Sequence, residues 1–499
     1  MRLLVPAETL VYLETNDLAA ALQPIVESKP FREVAKSKPD FSALKGVQLA
    51  VAVTGFETTE EKLTDESSVG RVQPRFVAIA DTHAWNWQAV AFAETKLGGF
   101  VADVYGSEPT LEKSDKSGGK YFVWSARDGR KAYALVIDSL IYFGNDETSI
   151  DKCLAIKRNE ADSIVKTGKI QPPDPKTLAA GYISTDGVAQ IANIAGLRFA
   201  SESSDESEIQ SAVAGILPRL IRNSITEVSW QARRTEEGIE DKFQISMPPD
   251  IANVFNETMA SSGNAGKSSF QSVPADASTA TSYNFKNAHV AWRSLLLVAQ
   301  KQTDPIVGEA IAVFANFLFE PYGIANPEIF LSAISSSFTT GNSSPDGEKP
   351  FVISTVTDVT KVESSLDSDL RRPVGSPEFA RLRKSEDGDL AMLYLDATFI
   401  GGDAESVERL YADRLNGPES GLSGAIRQTI DPKALTVTVG RDTTTAMQLI
   451  DIMAHEGRGD TGVISTYLTE TRFTKTGIER RTVSDFGLIG WIIAQLEQN

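Results

Sequence analysis

The residue types that most often carry out catalysis are sparse in this sequence. The three histidines, His83, His289 and His455, lie in separate segments, and none has another histidine three or four residues away. His455-Glu456 begins like a zinc-protease motif, but Gly459 occupies the position of the second histidine. We therefore expect capping or surface histidines, and a catalytic role for one of them is the alternative.

Nucleophile and phosphate-binding motifs are also missing. The sequence has no GxSxG motif and no P-loop, and Gly118-Gly119-Lys120 lacks both the upstream glycine spacing and a following Ser or Thr. The one cysteine, Cys153, excludes an internal disulfide and a multi-cysteine metal site. It is expected to be a buried small hydrophobic residue rather than a reactive thiol. We predict no metal and no cofactor.

Carboxylates are abundant, and two of them recur in a regular pattern. Asp138 and Glu147 are each followed, 258 positions later, by the same residue type at Asp396 and Glu405. Paired carboxylates are the groups that glycoside hydrolysis requires. However, these four residues stand at predicted strand ends and helix starts, where turns and capping already explain an acidic side chain. We favour the structural interpretation.

Three tryptophans form the candidate ligand or partner surface. Trp85 and Trp87 flank Asn86 at the start of a predicted helix, where they are suited either to an aromatic platform or to core packing, which is commoner. Trp491 lies in the apolar stretch 486–496, which is about half the length needed to cross a bilayer. That stretch is predicted to be a buried strand or helix, and the alternative is a docking patch for a partner or a membrane surface.

Composition narrows the class of protein. The 499 residues carry a formal charge of −18, and 41% of them are hydrophobic, as in an ordinary globular protein. An acidic surface repels phosphate groups, so we expect no binding of nucleic acid. No run of residues is long and apolar enough to span a membrane.

An internal repeat is the strongest pattern in the chain. Short matches follow one another in the same order, while the distance between partners drifts from 268 through 271 to 239 positions as loops differ in length. They include Val5-Pro6-Ala7-Glu8 with Val273-Pro274-Ala275-Asp276, Tyr12 and Asn16 with Tyr283 and Asn287, Asp174-Pro175-Lys176 with Asp431-Pro432-Lys433, and Thr235 and Gly238 with Thr474 and Gly477. We predict two homologous halves, residues 1–262 and 273–499, joined by a Ser/Gly-rich linker at 263–272.

Each half mixes strand patterns with helix patterns. A helix capped by Asn16 or Asp17, a three-strand meander from 121 to 143 and a hairpin from 225 to 245 are the clearest elements. The glycine fingerprint of a dinucleotide-binding fold is absent. The fold class predicted is α+β, with mainly antiparallel sheets and helices packed on one face.

The opening residues Val5 to Glu14, with Asp17-Leu18 and the corner Tyr142-Phe143-Gly144-Asn145, resemble an uncharacterised family of bacterial extracytoplasmic proteins. Its members begin with a Pro-Ala-Asp/Glu-Thr strand after a signal or membrane anchor. The resemblance implies a location in the periplasm or at the cell surface, with an anchor upstream of this chain; a cytoplasmic protein is the alternative. It supplies no catalytic residues.

These observations lead to two hypotheses about function. The first is a non-enzymatic scaffold or binding subunit of an envelope complex, with a protein partner and with membrane-surface contact as an open option. The alternative is a ligand-binding or sugar-binding protein, or a hydrolase, that uses the cleft between the two halves.

Overall fold

The computed structural model describes residues 1–62, 68–168, 170, 174, 176–202, 218–303, 308, 311, 313, 315–345, 347–371, 382–415, 422–454 and 465–495. The His455 motif of the sequence analysis lies outside these residues.

Ten strands of the first half form a continuous antiparallel array. They are β1 (Val11–Thr15), β2 (Gln48–Lys62), β3 (Ser68–Asp81), β4 (Thr110–Lys116), β5 (Gly119–Ser125), β6 (Lys131–Ile137), β7 (Leu140–Gly144), β8 (Thr177–Ser184), β9 (Glu227–Thr235) and β10 (Gly238–Ser246). Their spatial order is β4-β5-β6-β7-β3-β2-β1-β8-β9-β10. The predicted meander and hairpin are both present in it.

The second half repeats this order. Its strands are β11 (Thr279–Asn284), β12 (Ile334–Asn342), β13 (Pro350–Val356), β14 (Leu382–Lys384), β15 (Leu390–Leu395), β16 (Thr398–Asp403), β17 (Thr436–Arg441), β18 (Thr466–Thr474) and β19 (Gly477–Ser484). Their spatial order is β14-β15-β16-β13-β12-β11-β17-β18-β19, again antiparallel throughout. In the described chain only β4 has no counterpart.

The last strands of the two halves pair with each other. β10 lies antiparallel to β19, from the pair Ile239 and Ser484 to the pair Ser246 and Gly477, and this pairing joins all 19 strands into one sheet. At its centre Lys242 faces Arg481. Each of these residues stands four positions after the glycine that begins its strand. The pairing register is therefore symmetric, because exchanging the two strands gives the same set of residue pairs.

Helices follow the strands in a similar pattern. In the first half they are α1 (Leu18–Glu27), α2 (Lys29–Val34), α3 (Asn86–Phe92), α4 (Gly98–Tyr105), α5 (Glu147–Lys157), α6 (Thr185–Glu202) and α7 (Pro249–Thr258). In the second half they are α8 (Ala288–Lys301), α9 (Pro327–Ser332), α10 (Val359–Ser365), α11 (Ala404–Leu415), α12 (Thr443–Ala454) and α13 (Gly487–Gln495). A π-helical turn, Ala93–Leu97, joins α3 to α4. Together with the sheet, these helices confirm the α+β class.

The helices cover both faces of the sheet, and the prediction of helices on one face was wrong. Successive residues of a strand point to opposite faces. On β7, Tyr142 packs with Ile150 and Cys153 of α5, whereas its neighbour Ile141 packs with Ala89 and Ala93 under α3 and the π-helical turn. The extra layer arises because α5 and α11 fold back over the face opposite the other helices.

Side-chain caps show which residues occupy matching positions in the two halves. Asp17, not Asn16, caps α1 by accepting a hydrogen bond from the Ala20 amide, and Asn287 caps α8 in the same way through Val290. Tyr12 points to the buried face of β1, whereas Tyr283 lies at an intermediate position of β11 whose neighbours on both sides are buried. The predicted match of Tyr12 with Tyr283 is therefore out of phase, because a shift of one residue exchanges the faces of a strand.

The segment predicted as a linker is packed against the second half. Phe270 and Val273 are buried in its core, and the Lys267 ammonium donates a hydrogen bond of 2.7 Å to the Ile426 carbonyl. A short 3-10 helix, Lys267–Phe270, precedes Val273 as Arg2–Leu4 precedes Val5. The Ser and Gly content of residues 263–272 predicted a flexible linker. The buried Phe270 instead fixes this segment to the second half.

The last helix of each half packs against the other half. Ile251 and Phe255 of α7 pack with Ala291, Leu435 and Phe473. Conversely, α13 contributes Ala494 to a cluster that contains Ile25, Val26 and Ile239 of the first half. The two halves are therefore joined by a shared sheet and by an exchange of helices.

Candidate functional surfaces

Trp85 and Trp87 stand at a rigidly held corner between β3 and α3. The Trp85 amide donates to Gln88 Oε1 at 3.1 Å, and the Thr82 hydroxyl donates to the Ser139 carbonyl at 3.0 Å. The Asn86 amide group donates to the Asp138 carbonyl at 3.3 Å. These bonds tie the corner to the β6–β7 turn, so both indoles project from a fixed backbone.

Both indoles are exposed to solvent. Trp85 is 76% exposed and Trp87 is 69% exposed, so the core-packing alternative does not hold for them. Further along the same helical segment Phe92, Phe100 and Val104 are also exposed. We call these five residues the aromatic surface. The inner side of the segment, Ala89, Ala93 and Val101, packs against the sheet.

Trp491 lies in a different part of the molecule from Trp85 and Trp87. It lies on α13 and is 49% exposed, while Gly487, Gly490 and Ala494 of the same helix are buried. The structure therefore brings Trp85 and Trp87 together, but it places the third predicted tryptophan at the joint between the halves. The C-terminal stretch, which was predicted to be a buried strand or helix, is a helix at Gly487–Gln495.

A cavity of about 390 Å³ lies beside the joint. Its walls carry three carboxylates and two guanidinium groups, namely Asp431, Glu470, Glu479, Arg472 and Arg481. Arg481 contacts Glu240 at 2.5 Å and Glu470 at 2.9 Å, and Arg472 contacts Glu479 at 2.7 Å. Lys242 also contacts Glu479, at 3.0 Å. None of the three predicted tryptophans lines this cavity.

The charges at the joint do not favour acid catalysis. Hydrogen bonds and ion pairs with Lys242 and Arg472 outweigh burial and hold the pKa of Glu479 below its ordinary value. A general acid at neutral pH requires the opposite shift. None of these residues could be recognised from the sequence as a site residue, because the β10–β19 pairing that assembles them has no local pattern.

The recurring carboxylates have structural surroundings. Glu147 accepts hydrogen bonds from Lys116 and Tyr121, both at 2.8 Å, and these bonds lower its pKa. Glu405 pairs with Lys349 at 2.5 Å, and its pKa is also lowered. Asp138 and Asp396 both adopt a positive φ, 57° and 54°, in matching hairpin turns. This agrees with the structural interpretation.

The remaining candidates are inert or dispersed. Cys153 is buried as predicted, and burial raises the pKa of its thiol to about 12. His83 lies beside Asp81 at 3.4 Å, and His289 lies beside Glu328 at 3.2 Å. Gly144 is the last residue of β7, where an added Cβ would stand 2.2 Å from the Phe76 carbonyl oxygen.

Among the described residues, no helix is both long and apolar enough to cross a membrane. These residues also contain no cluster of His, Cys, Asp and Glu arranged to hold a metal ion.

Comparisons with known proteins return little similarity. No protein-family model matches the sequence, and no curated protein matches it. Crystal forms IV, I and III of TP0453 match with a TM-score of 0.25 and 9% identity. The matches cover 52% of this chain and 84%, 85% and 86% of those chains. A score of this size establishes neither a shared fold nor a shared function.

Proposed function

We propose that the protein is a non-enzymatic, extracytoplasmic scaffold or binding subunit of a bacterial envelope complex. We also propose that it holds a protein partner through the aromatic surface. The observation that carries this proposal is the exposure of Trp85 and Trp87 on a fixed corner. The extracytoplasmic location rests on the resemblance of the opening strand and of the Gly144-Asn145 corner to the bacterial family.

The chemistry of the aromatic surface favours a protein partner. Tryptophan is enriched among residues that dominate binding energy in protein interfaces. The surrounding exposed residues are polar and carry both signs of charge, as the rim of an interface does: Asn86, Gln88, Lys96 and Asp103. Because hydrogen bonds already fix the corner, binding would order few additional groups.

We further propose that the two halves arose by duplication of one unit. The shared strand order, the matching caps Asp17 and Asn287 and the matching turns at Asp138 and Asp396 support this. So does the hairpin geometry: Gly238 and Gly477 adopt φ values of 139° and 141°. Glycine tolerates this backbone, which other residues rarely adopt. The aromatic surface lies between β3 and β4, and in the second half α10 follows β13 at the corresponding place.

A pull-down from envelope extracts tests the proposal. The tagged full chain is compared with the double variant Trp85→Ala/Trp87→Ala and with Leu3→Ala, a control at a residue that is 66% exposed on another part of the surface. We expect the double variant to recover the partner at least about tenfold less well, and the control to equal the native chain. Recovery of the protein alone at every salt concentration contradicts the proposal.

The alternative of a ligand-binding protein or hydrolase has less support. The cavity at the joint contains three carboxylates, but ion pairs and hydrogen bonds engage them, and the pKa of Glu479 is lowered. A sugar site also commonly offers an aromatic face, and the cavity walls have none.

A further inference from the structure

Strand β4 forms an edge of the sheet. It pairs with β5 on one side, ending with Lys116 opposite Gly119, and no described strand pairs with its other side. The two residues between these strands, Ser117 and Gly118, both have a positive φ, 53° and 80°. This is the tight two-residue turn of a β-hairpin, and it fixes the register of β4 against β5.

The unpaired side of β4 offers main-chain hydrogen bonds. In an antiparallel pair, successive residues of a strand direct their N–H and C=O groups alternately toward the neighbouring strand and away from it. The residue pair that closes a two-residue turn exchanges both hydrogen bonds, so Lys116 and every second residue before it bond to β5. Leu111, Lys113 and Asp115 therefore direct their main-chain groups outward. An exposed row of this kind is a template for a further strand.

Each face of β4 carries one cation and one anion. Lys113 and Asp115 lie on the face of the sheet where α3 and α4 lie, whereas Glu112 and Lys116 lie on the face of α5. The Lys113 ammonium lies 2.6 Å from the Glu94 carboxylate. Glu112, by contrast, is exposed and forms no ion pair with any described residue. The strand therefore presents charges of both signs along its free side.

A second copy of β4 fits this edge in one antiparallel register. With Ser114 opposite Ser114 of the second copy, Lys113 faces Asp115 and Glu112 faces Lys116, and each of these pairs occurs twice by symmetry. The outward main-chain groups of Lys113 and Asp115 also meet in this register. Opposite charges across a strand pair stabilise it, and like charges destabilise it.

Neighbouring registers are excluded by the same charges. Lysine on an edge strand normally prevents pairing. Sliding the second copy by two residues brings Lys113 opposite Lys113 in one direction and Asp115 opposite Asp115 in the other. Both arrangements place like charges directly opposite each other. The charge pattern of β4 therefore selects the register centred on Ser114.

We infer that the protein self-associates by pairing β4 with β4 of a second copy, which extends the sheet across a two-fold axis at Ser114. A single strand pair is smaller than the interface of about 800 Å² per partner that stable complexes use, so we expect a reversible dimer of micromolar affinity. The charge of −18 on each copy opposes association. At an ionic strength of about 0.15 M, however, charges more than about 8 Å apart are largely screened.

This dimer has a consequence for the aromatic surface. Residues that lie opposite each other on paired strands share one face of the sheet. The two copies therefore carry their aromatic surfaces on the same side of the joined sheet, so a partner with two binding sites gains affinity from engaging both. The inference does not rest on the proposed function, because it concerns β4 and not Trp85 or Trp87.

Sedimentation velocity of the full chain over a wide range of protein concentrations, at about 0.15 M salt, tests the inference. Lys113→Glu places a carboxylate opposite Asp115, and Asp115→Lys places an ammonium opposite Lys113. Each variant alone is expected to raise the dissociation constant of the dimer at least about tenfold. An equimolar mixture of the two variants restores both pairs of opposite charges and should dimerise like the native chain. This rescue also shows that both variants fold.

The matched control is Lys166→Glu, which makes the same change of charge at an exposed lysine that also has an ion pair, with Asp162 at 2.7 Å. We expect it to dimerise like the native chain. So should Trp85→Ala/Trp87→Ala, whether or not it retains the envelope partner, which separates the two proposals.

Three results overturn the inference: the native chain is monomeric at every concentration, Lys166→Glu weakens association as much as Lys113→Glu, or the mixture of variants stays monomeric. A monomeric native chain whose recovery of the envelope partner falls with Lys113→Glu would show that the edge binds a strand of that partner instead.

Discussion

Asp241 is the most buried acidic side chain among the residues that the structure describes, and it fastens the two halves together. It is 2% exposed, and its two carboxylate oxygens accept hydrogen bonds of 2.8 Å from Trp230 Nε1 and from the Leu488 amide. Trp230 belongs to β9 and Leu488 is the second residue of α13, so one carboxylate joins the first half to the C-terminal helix. Burial nevertheless dominates and raises the pKa of Asp241 to about 6.

The raised pKa predicts how stability depends on pH. The folded state binds this proton more tightly than the unfolded chain does. The stabilising contribution is therefore fully present below about pH 4 and is lost as the pH rises through about 6. We compare the native chain with Asp241→Asn, which does not titrate and cannot accept both hydrogen bonds. We expect Asn to lower the free energy of unfolding by about 1–3 kcal/mol at pH 7.

The same pair of proteins isolates the titration. As the pH falls from 6 to 4, the advantage of the native chain over Asp241→Asn should grow with a limiting slope of about 1.4 kcal/mol per pH unit. Urea unfolding at pH 4.5, 5.5 and 7 measures it. A difference that is constant with pH, or that shrinks as the pH falls, would show that Asp241 titrates normally.

At the scale of elements, the β10–β19 joint is held by two ion pairs at equivalent positions. Lys242 pairs with Glu479, and Arg481 pairs with Glu240. The symmetry breaks at the next strand. Glu470 of β18 is almost buried and contacts Arg481, whereas Gln231 occupies the matching position of β9 beside Lys242. Arg481 therefore neutralises the buried carboxylate of Glu470, whereas the residue beside Lys242 on β9 is uncharged.

This asymmetry yields a matched pair of variants. Arg481→Met leaves the Glu470 carboxylate buried without its cation and is expected to lower the free energy of unfolding by about 2 kcal/mol. Lys242→Met, at the equivalent but more exposed position, should cost less than about 1 kcal/mol. Adding Glu470→Gln to Arg481→Met should restore most of the loss. Equal losses for the two single variants in urea unfolding would refute this account.

Local elements could be predicted from the sequence, and this joint could not. The meander, the hairpins and the cap at Asp17 depend on residues within a few positions of one another, so period and turn chemistry reveal them. Lys242 and Arg481 are opposite each other on β10 and β19 but far apart in sequence. The local sequence of β10 does not indicate which strand it pairs with. The exposure of Trp85 also could not be predicted, since tryptophan at a helix start is more often covered.

For the whole molecule, the shared sheet and the exchanged helices make the two halves one mechanical unit. Eight residue pairs connect β10 to β19. The rings of Phe255 in α7 and Phe473 in β18 lie 5.2 Å apart, and Gly490 of α13 lies close to Ile25 of α1. The covalent connection at 259–272 adds little to these contacts, although it carries Phe270 into the second core. The two halves should therefore remain bound without it.

A nicked chain tests that expectation. Gly263 adopts a left-handed φ of 78° at an exposed position, and no atom lies near its missing side chain. A protease recognition sequence inserted between Gly263 and Asn264 should therefore leave the fold intact. After cleavage we expect the two fragments to elute together in size-exclusion chromatography and to unfold in a single transition, with the uncut insertion protein as control. Separate elution in native buffer would mean that the chain connection, and not the β10–β19 joint, holds the halves together. Co-elution with two unfolding transitions would mean that the halves associate but fold as independent domains, contrary to the single unit described above.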